Sequence, residues 1–416
     1  MRVKILFLIL LLTCLSCTTC CIEKDVNRET PVSTPTITII PTFTPELTPT
    51  PTTESLNRTE IIERVEEVRG LDLLYDIPHR QTTKEELLER YNVTDDGSDD
   101  ILLKALFMVE REDALDEAEA AYKSETVMAY YDIENKEIVI AMEYEDEFEK
   151  IYAHEYLHAI QDQHFNLTRV IGQSTFDSSM AAKALVEGDA LLTYDLYQGK
   201  KPSGLTMAIS KVYDDVTRRT LEEFRTFPTT KGKFFVTQLY GAGGDGWGFV
   251  NEAYYNLPTT TEMIMHPDKY TEGEDGVNMT ATEVELDGWN MTIEDTMGEL
   301  FIRTMLSDHI SSGNASTSAS GWGGDRLVLY QNETDYLFFF NISWDSMGDA
   351  DEFVEGYREL MHTINATKIM DKNDVIEWVV EEDEWISLIM INDSLNRTVI
   401  SGSSSQEVLN ASMEVV

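Results

Sequence analysis

The chain has 416 residues, 42% of them hydrophobic, enough to bury a sizeable core in one large domain or two smaller ones. Its 76 acidic residues against 32 basic ones give a formal net charge of -44, which excludes nucleic acid and anionic lipid as surfaces that would attract it. All four cysteines (Cys14, Cys17, Cys20 and Cys21) precede residue 22, so the rest of the chain has neither a disulfide framework nor a thiolate metal site, and His and carboxylate are left as ligands for any metal.

Residues 1–21 begin with two basic side chains, run apolar from Ile5 to Leu12 and end in small residues and cysteines, the order of an export signal and shorter than a membrane span. The terminal cysteines resemble a lipoprotein processing site, with Cys17 after Leu15 and Ser16 as the attachment residue. Residues 22–56 contain a Pro/Thr tract, Pro31 to Thr53, that cannot pack a core and reads as an extended tether. The membrane is thus expected to be reached only through the N-terminal anchor. Twelve Asn-x-Ser/Thr sequons, at Asn57, Asn92, Asn166, Asn278, Asn290, Asn314, Asn332, Asn341, Asn365, Asn392, Asn396 and Asn410, point with the signal to a glycoprotein outside the cytoplasm.

Thr59 to Val68 and Thr83 to Tyr91 read as amphipathic helices, each opening on a threonine and an acidic first turn. Ile101 to Tyr122 predicts a helical pair. Val127 to Met142 alternates and is β-branched on both sides of Glu134-Asn135-Lys136, so a hairpin is expected there, leading into the next helix; a strand in that place can bind an extended peptide by edge pairing. No Pro or Gly interrupts Phe148 to Phe165, and Ser178 to Tyr197 reads as a second long helix. Phe234 to Tyr270 predicts a helix, a Gly-rich turn, a further helix and a loop ending just past His266-Pro267. Asp295 to Ser307 reads as helix, Ser320 to Arg326 as a turn before the strand Leu327 to Tyr330, and Tyr336 to Trp344 as a strand. A helix over Asp349 to Met361 and strands over Glu384 to Ile391 and Thr398 to Ser401 complete the chain. The class is α+β: a helix-rich domain over 57–330 with a small sheet, then an α+β portion over 331–416.

The chemistry gathers in IYAHEYLHAIQDQH, Ile151 to His164. On a helix of 3.6 residues per turn, His154 and His158 share one face, so their imidazoles can hold one metal ion, with Glu155 bordering that face. Zn²⁺ in such a site keeps an open position for water, and a neighbouring carboxylate can act as general base; this is the HExxH pattern of zinc peptidases. His164 stands where another version of the pattern, HExxHxxGxxH, places its third histidine. That version needs Gly at the position of Gln161, which instead favours continued helix; six residues beyond His158 is about 240° around the helix, so His164 points away. Glu187, on the next long helix and followed by Gly188, is the expected third ligand. Asp162 shares the histidine face and is a candidate acceptor for an imidazole N–H.

The arrangement of His154, Glu155, His158 and Glu187 resembles the gluzincin branch of the zincin metallopeptidases. More narrowly, VRGL (Val68 to Leu71), YYDIENKEIVIA, AHEYLHAIQDQHF, ALVEGDA, TTTEMIMHPDKY and GWGGDR are similar, in order, to the blocks of a family of archaeal and bacterial secreted or surface proteins with a peptidase-type domain. The resemblance covers about Asn57 to Tyr330. It implies a zincin-like fold, zinc on His154, His158 and Glu187, Glu155 as base, peptides or proteins as substrates, and a later Tyr or His to stabilise the oxyanion. His266 is the first candidate for that last role, with Tyr270 and Arg326 behind it. The alternative is a non-catalytic, metal-containing envelope glycoprotein that acts as a binding or structural module.

Overall fold

The computed structural model describes residues 58–89, 97–204, 215–242, 244, 246–372, 374–381 and 384–412. The export segment with its cysteines, the Pro/Thr tether, and the sequons at Asn57 and Asn92 lie outside the described residues.

The first half is helical around a small sheet. In order come α1 (Arg58–Arg69), β1 (His79–Thr82), α2 (Lys84–Glu89), α3 (Ser98–Ala105), α4 (Leu115–Thr126), β2 (Ala129–Asp132), β3 (Glu137–Ala141), α5 (Phe148–Phe165), α6 (Leu167–Ile171) and α7 (Phe176–Tyr197). Then follow α8 (Val216–Ala242), α9 (Trp247–Ala253), α10 (Thr261–Met265) and α11 (Pro267–Glu272). The second half holds β4 (Asn290–Asp295), α12 (Gly298–Ser307), α13 (Ser312–Ala319), β5 (Trp322–Gln331), β6 (Tyr336–Trp344), α14 (Met347–Thr363), β7 (Thr367–Lys372), β8 (Val375–Val380), β9 (Glu384–Ile391), β10 (Arg397–Ser403) and α15 (Gln406–Ser412). The molecule is α+β, a helix-rich part followed by a sheet-rich C-terminal region.

The small sheet has the order β1-β3-β2, with β1 parallel to β3 and β2 antiparallel to it. The β2–β3 hairpin turns where expected: Asp132 Oδ1 accepts from the backbone N–H groups of Glu134 and Asn135, and Lys136 takes a positive φ of 54°. β2 is thereby left as an outer strand beside α5. The helix is buried on nearly every side, against α1, the hairpin and α7, through a cluster that includes Ile61, Val65, Ile138, Ile140, Ile151 and Leu157.

Two helices set the geometry of the centre. α7 starts at Thr175, whose side chain accepts from the Ser178 N–H while the Ser178 hydroxyl accepts from the Thr175 N–H. α8 runs alongside α7, and the helices touch backbone to backbone: a Cβ on Gly188 would stand 2.2 Å from Gly232 O, and one on Gly232 would stand 2.0 Å from Ala184 O. α8 begins eighteen residues before the Phe234 start that the sequence suggested. Pro228 sits inside it, and the helix continues through the proline.

The large sheet is antiparallel throughout, in the order β4-β5-β6-β10-β9-β8-β7. The division expected after residue 330 is in fact the β5–β6 hairpin, paired from Trp322–Trp344 to Gln331–Tyr336, so the sheet unit begins earlier, at β4. SGWGGDR is likewise not a turn throughout: Trp322 to Arg326 is already β5, irregular between Trp322 and Gly324. One continuous core joins the inner face of this sheet (Leu327, Phe338, Phe340, Ile400) to α12, α14, α7 and α8. The C-terminal region therefore buttresses the helices that carry the centre.

Candidate metal centre

α5 and α7 bring His154, His158 and Glu187 together, with one possible ligand atom from each lying within 4.8 Å of the others. Nε2 of His154 and Nε2 of His158 are 3.0 Å apart, and Glu187 Oε2 stands 3.5 Å from the first and 4.0 Å from the second. Ligands about 2.0–2.2 Å from a tetrahedral zinc lie roughly 3.3 Å from one another, which is the scale of these three edges. The donor set fits. The imidazoles are nearly perpendicular, and all three side chains are buried. Glu187 Oε2 has no hydrogen-bond partner, an expensive state for a buried carboxylate unless a cation meets it.

Protonation favours ligation on the histidine side. Burial pulls both imidazoles down to about 4, helped by Lys150 at His154 and by His154 at His158, so they are neutral with a lone pair to give. Burial lifts Glu187 to about 7, against the pull of His158, Arg225 and Lys183.

The tautomer of His158 is fixed by its surroundings. Gln161 Nε2 donates to Val186 O at 3.1 Å and to Asp189 Oδ2 at 3.0 Å, so Gln161 Oε1 is the atom facing His158 Nδ1, at 2.7 Å. The imidazole proton is therefore on Nδ1, and Nε2 points its lone pair at the centre. Asp189 is anchored in turn: Arg69 donates to both of its oxygens, at 2.7 and 3.0 Å, and the Tyr254 hydroxyl donates to Oδ2 at 2.8 Å. Arg69 also donates to Asn251 and stacks under Trp247, its guanidinium 4.3 Å from the ring centroid. A chain of fully buried polar groups thus runs from α1 through α7 to the second histidine. Three of the blocks noted in the sequence, VRGL, AHEYLHAIQDQHF and ALVEGDA, meet here through Arg69, Gln161 and Asp189.

Glu155 is fully buried, and neither of its carboxylate oxygens has a hydrogen-bond partner. Burial, then the charge of Glu187, raises its proton affinity well above the ordinary range; the backbone N–H of Tyr131 in β2 opposes this without closing a bond. A carboxylate so placed is a ready proton acceptor at a spot from which bulk water is largely excluded.

Other candidates are engaged elsewhere. Asp162 does not serve an imidazole: its Oδ2 accepts from Tyr131 OH and Lys136 Nζ at 2.8 and 2.6 Å, and its Oδ1 from the Leu167 N–H, so it pins the hairpin to α5, and Gln161 does the work expected of it. His164 is turned away, donating to Asp72 O at 2.7 Å. His266, between α10 and α11, meets Glu299 at 3.1 Å; the Tyr270 hydroxyl donates to Asn256 O and Arg326 pairs with Glu294. The residues that sequence reasoning passed over are Gln161, Asp189, Arg69 and Tyr254. Gln161 carried a signal, lying three positions after His158 and so on the same helical face.

Residues 287–413 match a family described as a domain of unknown function, DUF8575. The match spans the large sheet with α12 to α15 and contains no residue of the centre. No curated protein and no solved structure matches the chain.

Proposed function

We propose that the chain is a zinc-dependent peptidase acting outside the cytoplasm, held to the membrane through its N-terminal segment. The observation that carries this reading is one buried point where two neutral imidazoles and an unpartnered carboxylate converge beside a second unpartnered carboxylate, Glu155. A purely structural metal site has no use for Glu155. Zinc held by His154, His158 and Glu187 would supply Lewis-acid polarisation of water and of the scissile carbonyl.

In this mechanism Glu155 takes the proton of the attacking water on a carboxylate oxygen and passes it to the departing amine nitrogen. Gln161, held by Asp189, keeps the His158 proton on Nδ1 throughout. β2, the outer strand beside α5, offers its edge to an extended peptide or protein substrate. Glycans on exposed sequons such as Asn166, Asn314 and Asn365 accompany this location.

Metal analysis of the purified protein tests the reading. One zinc per chain that is lost in Glu187→Ala is the expected result. A chain that copurifies with no stoichiometric metal and takes up none would remove the peptidase reading.

A further inference from the structure

Oxyanion stabilisation is left without an owner once His266, Tyr270 and Arg326 are seen to be engaged elsewhere. Two other cations face the centre. Lys183 stands one helical turn before Glu187 on α7, so both side chains project from one face. Arg225 comes from α8, the helix locked to α7 at Gly188 and Gly232. Both lower the proton affinity of the Glu187 carboxylate by their charge.

Neither cation forms a salt bridge among the described residues. That is unusual in a chain with 76 acidic and 32 basic side chains. Nearby cations do find acids: Arg69 pairs with Asp189, Lys136 with Asp162 and Lys233 with Asp195. The guanidinium of Arg225 lies 5.1 Å from the Tyr122 ring centroid, and its Nη1 donates to the Tyr122 hydroxyl at 3.2 Å. That hydroxyl donates to Glu222, so the carboxylate one turn back on α8 is spent on the phenol. Nη2 of Arg225 is buried with no partner. A charged donor held this way lacks the acceptor that its fixed, planar geometry is built to meet.

We propose that Arg225 and Lys183 form an oxyanion-binding subsite beside Glu187 that receives a carboxylate-type oxyanion of the peptide substrate. The ligand class rests on the peptidase reading; the subsite itself does not. The oxyanion has two sources, the charge that develops on the scissile carbonyl oxygen and the free C-terminal carboxylate of a peptide.

The test compares matched peptides, as C-terminal acid and as amide, on wild type, Arg225→Met, Arg225→Lys and Lys183→Met, with zinc content and melting measured for each. If the developing oxyanion is the ligand, Arg225→Met lowers kcat about 10²- to 10³-fold on both peptide forms with KM little changed. If the terminal carboxylate is the ligand, KM rises at least tenfold on the acid alone. Arg225→Lys, which keeps the charge but not the fork, falls between in either case. A folded, zinc-loaded Arg225→Met with both constants within twofold of wild type on both peptides overturns the proposal. A second measurement needs no turnover: titration of the zinc-free protein with N-acetylalanine, which mimics both a peptide C-terminus and a carboxylate product. Saturable binding that weakens at least tenfold in Arg225→Met supports the subsite, even if the wild type proves to cleave nothing. Absence of binding to wild type counts against it.

Discussion

Replacing Gly188 by alanine sets two opposed effects against each other at the centre. Alanine favours a helix interior over glycine by about 1 kcal/mol, so propensity alone predicts a more stable protein. The structure predicts the reverse. The new Cβ would lie 2.2 Å from Gly232 O, 2.3 Å from Gly232 C and 2.8 Å from Lys233 N, all backbone atoms that no rotamer change can move. Reaching ordinary contact requires α7 and α8 to part by about 1 Å. Overpacking of this kind costs about 1–3 kcal/mol, more than the propensity gain. The displacement also reaches Glu187, the adjacent residue, whose carboxylate must meet two histidines on α5 within about 0.2 Å of ligand geometry. Gly188→Ala is therefore expected to lower the melting midpoint and to weaken zinc binding at least tenfold in a chelator competition. Gly313→Ala, in a helix with nothing within 4 Å of the new Cβ, is the control and should be neutral or stabilising. Gly188→Ala with wild-type zinc affinity and an unchanged or raised midpoint would refute the argument that helix contact positions Glu187.

Gln161→Leu frees Nδ1 of His158 and leaves Asp189 short of a donor; zinc affinity should fall about 10- to 100-fold with the fold retained, as read by metal titration and circular dichroism. Unchanged affinity would show that the ring is oriented by packing alone. Asp295 and Asp325 are pushed by burial to about 7 and about 6, above the ordinary 3.8. Because these folded-state values are raised, their contribution to stability is full at acid pH and is lost as pH rises from about 4 to about 7. The melting midpoint should thus be higher at pH 5 than at pH 8, and Asp295→Asn, which keeps an acceptor for the Phe176 and Thr296 N–H groups, should flatten the difference; a midpoint that climbs with pH would contradict this. Asn341 lies in the middle of β6, buried and paired on both sides with β5 and β10, so its sequon should carry no glycan in mass spectrometry of the folded protein, and an occupied Asn341 would contradict the register.

Legibility in the sequence followed the strength of local patterns. α5, β6 and β9 occupy the bounds their patterns suggested, because each is a long uninterrupted run with one face or both buried. The convergence of His154, His158 and Glu187 was readable for the same reason: two histidines one turn apart need only a helix, and Glu187 needs only a neighbouring one. What failed was decided by contacts distant in sequence. α8 was expected only from Phe234, whereas it runs from Val216 and is held against α7 by the close contacts at Gly188 and Gly232. The glycines of SGWGGDR read as a turn, yet β6 pairs with Gly324 and makes it strand. Asp162 and Gln161 are adjacent on α5, and only the positions of Lys136, Tyr131 and Asp189 decide that the amide serves the histidine and the carboxylate serves the hairpin. Arg225 carried no sequence signal, since its meaning lies in the partner it lacks.

The most direct test of the central claim is cleavage of a diverse peptide mixture by wild type and by Glu155→Gln, with zinc measured in both. Glu155 is no ligand in this account, so the variant should hold one zinc per chain while every wild-type cleavage product disappears. Products that persist in zinc-loaded Glu155→Gln, or a wild type that binds zinc and cleaves nothing, would contradict it.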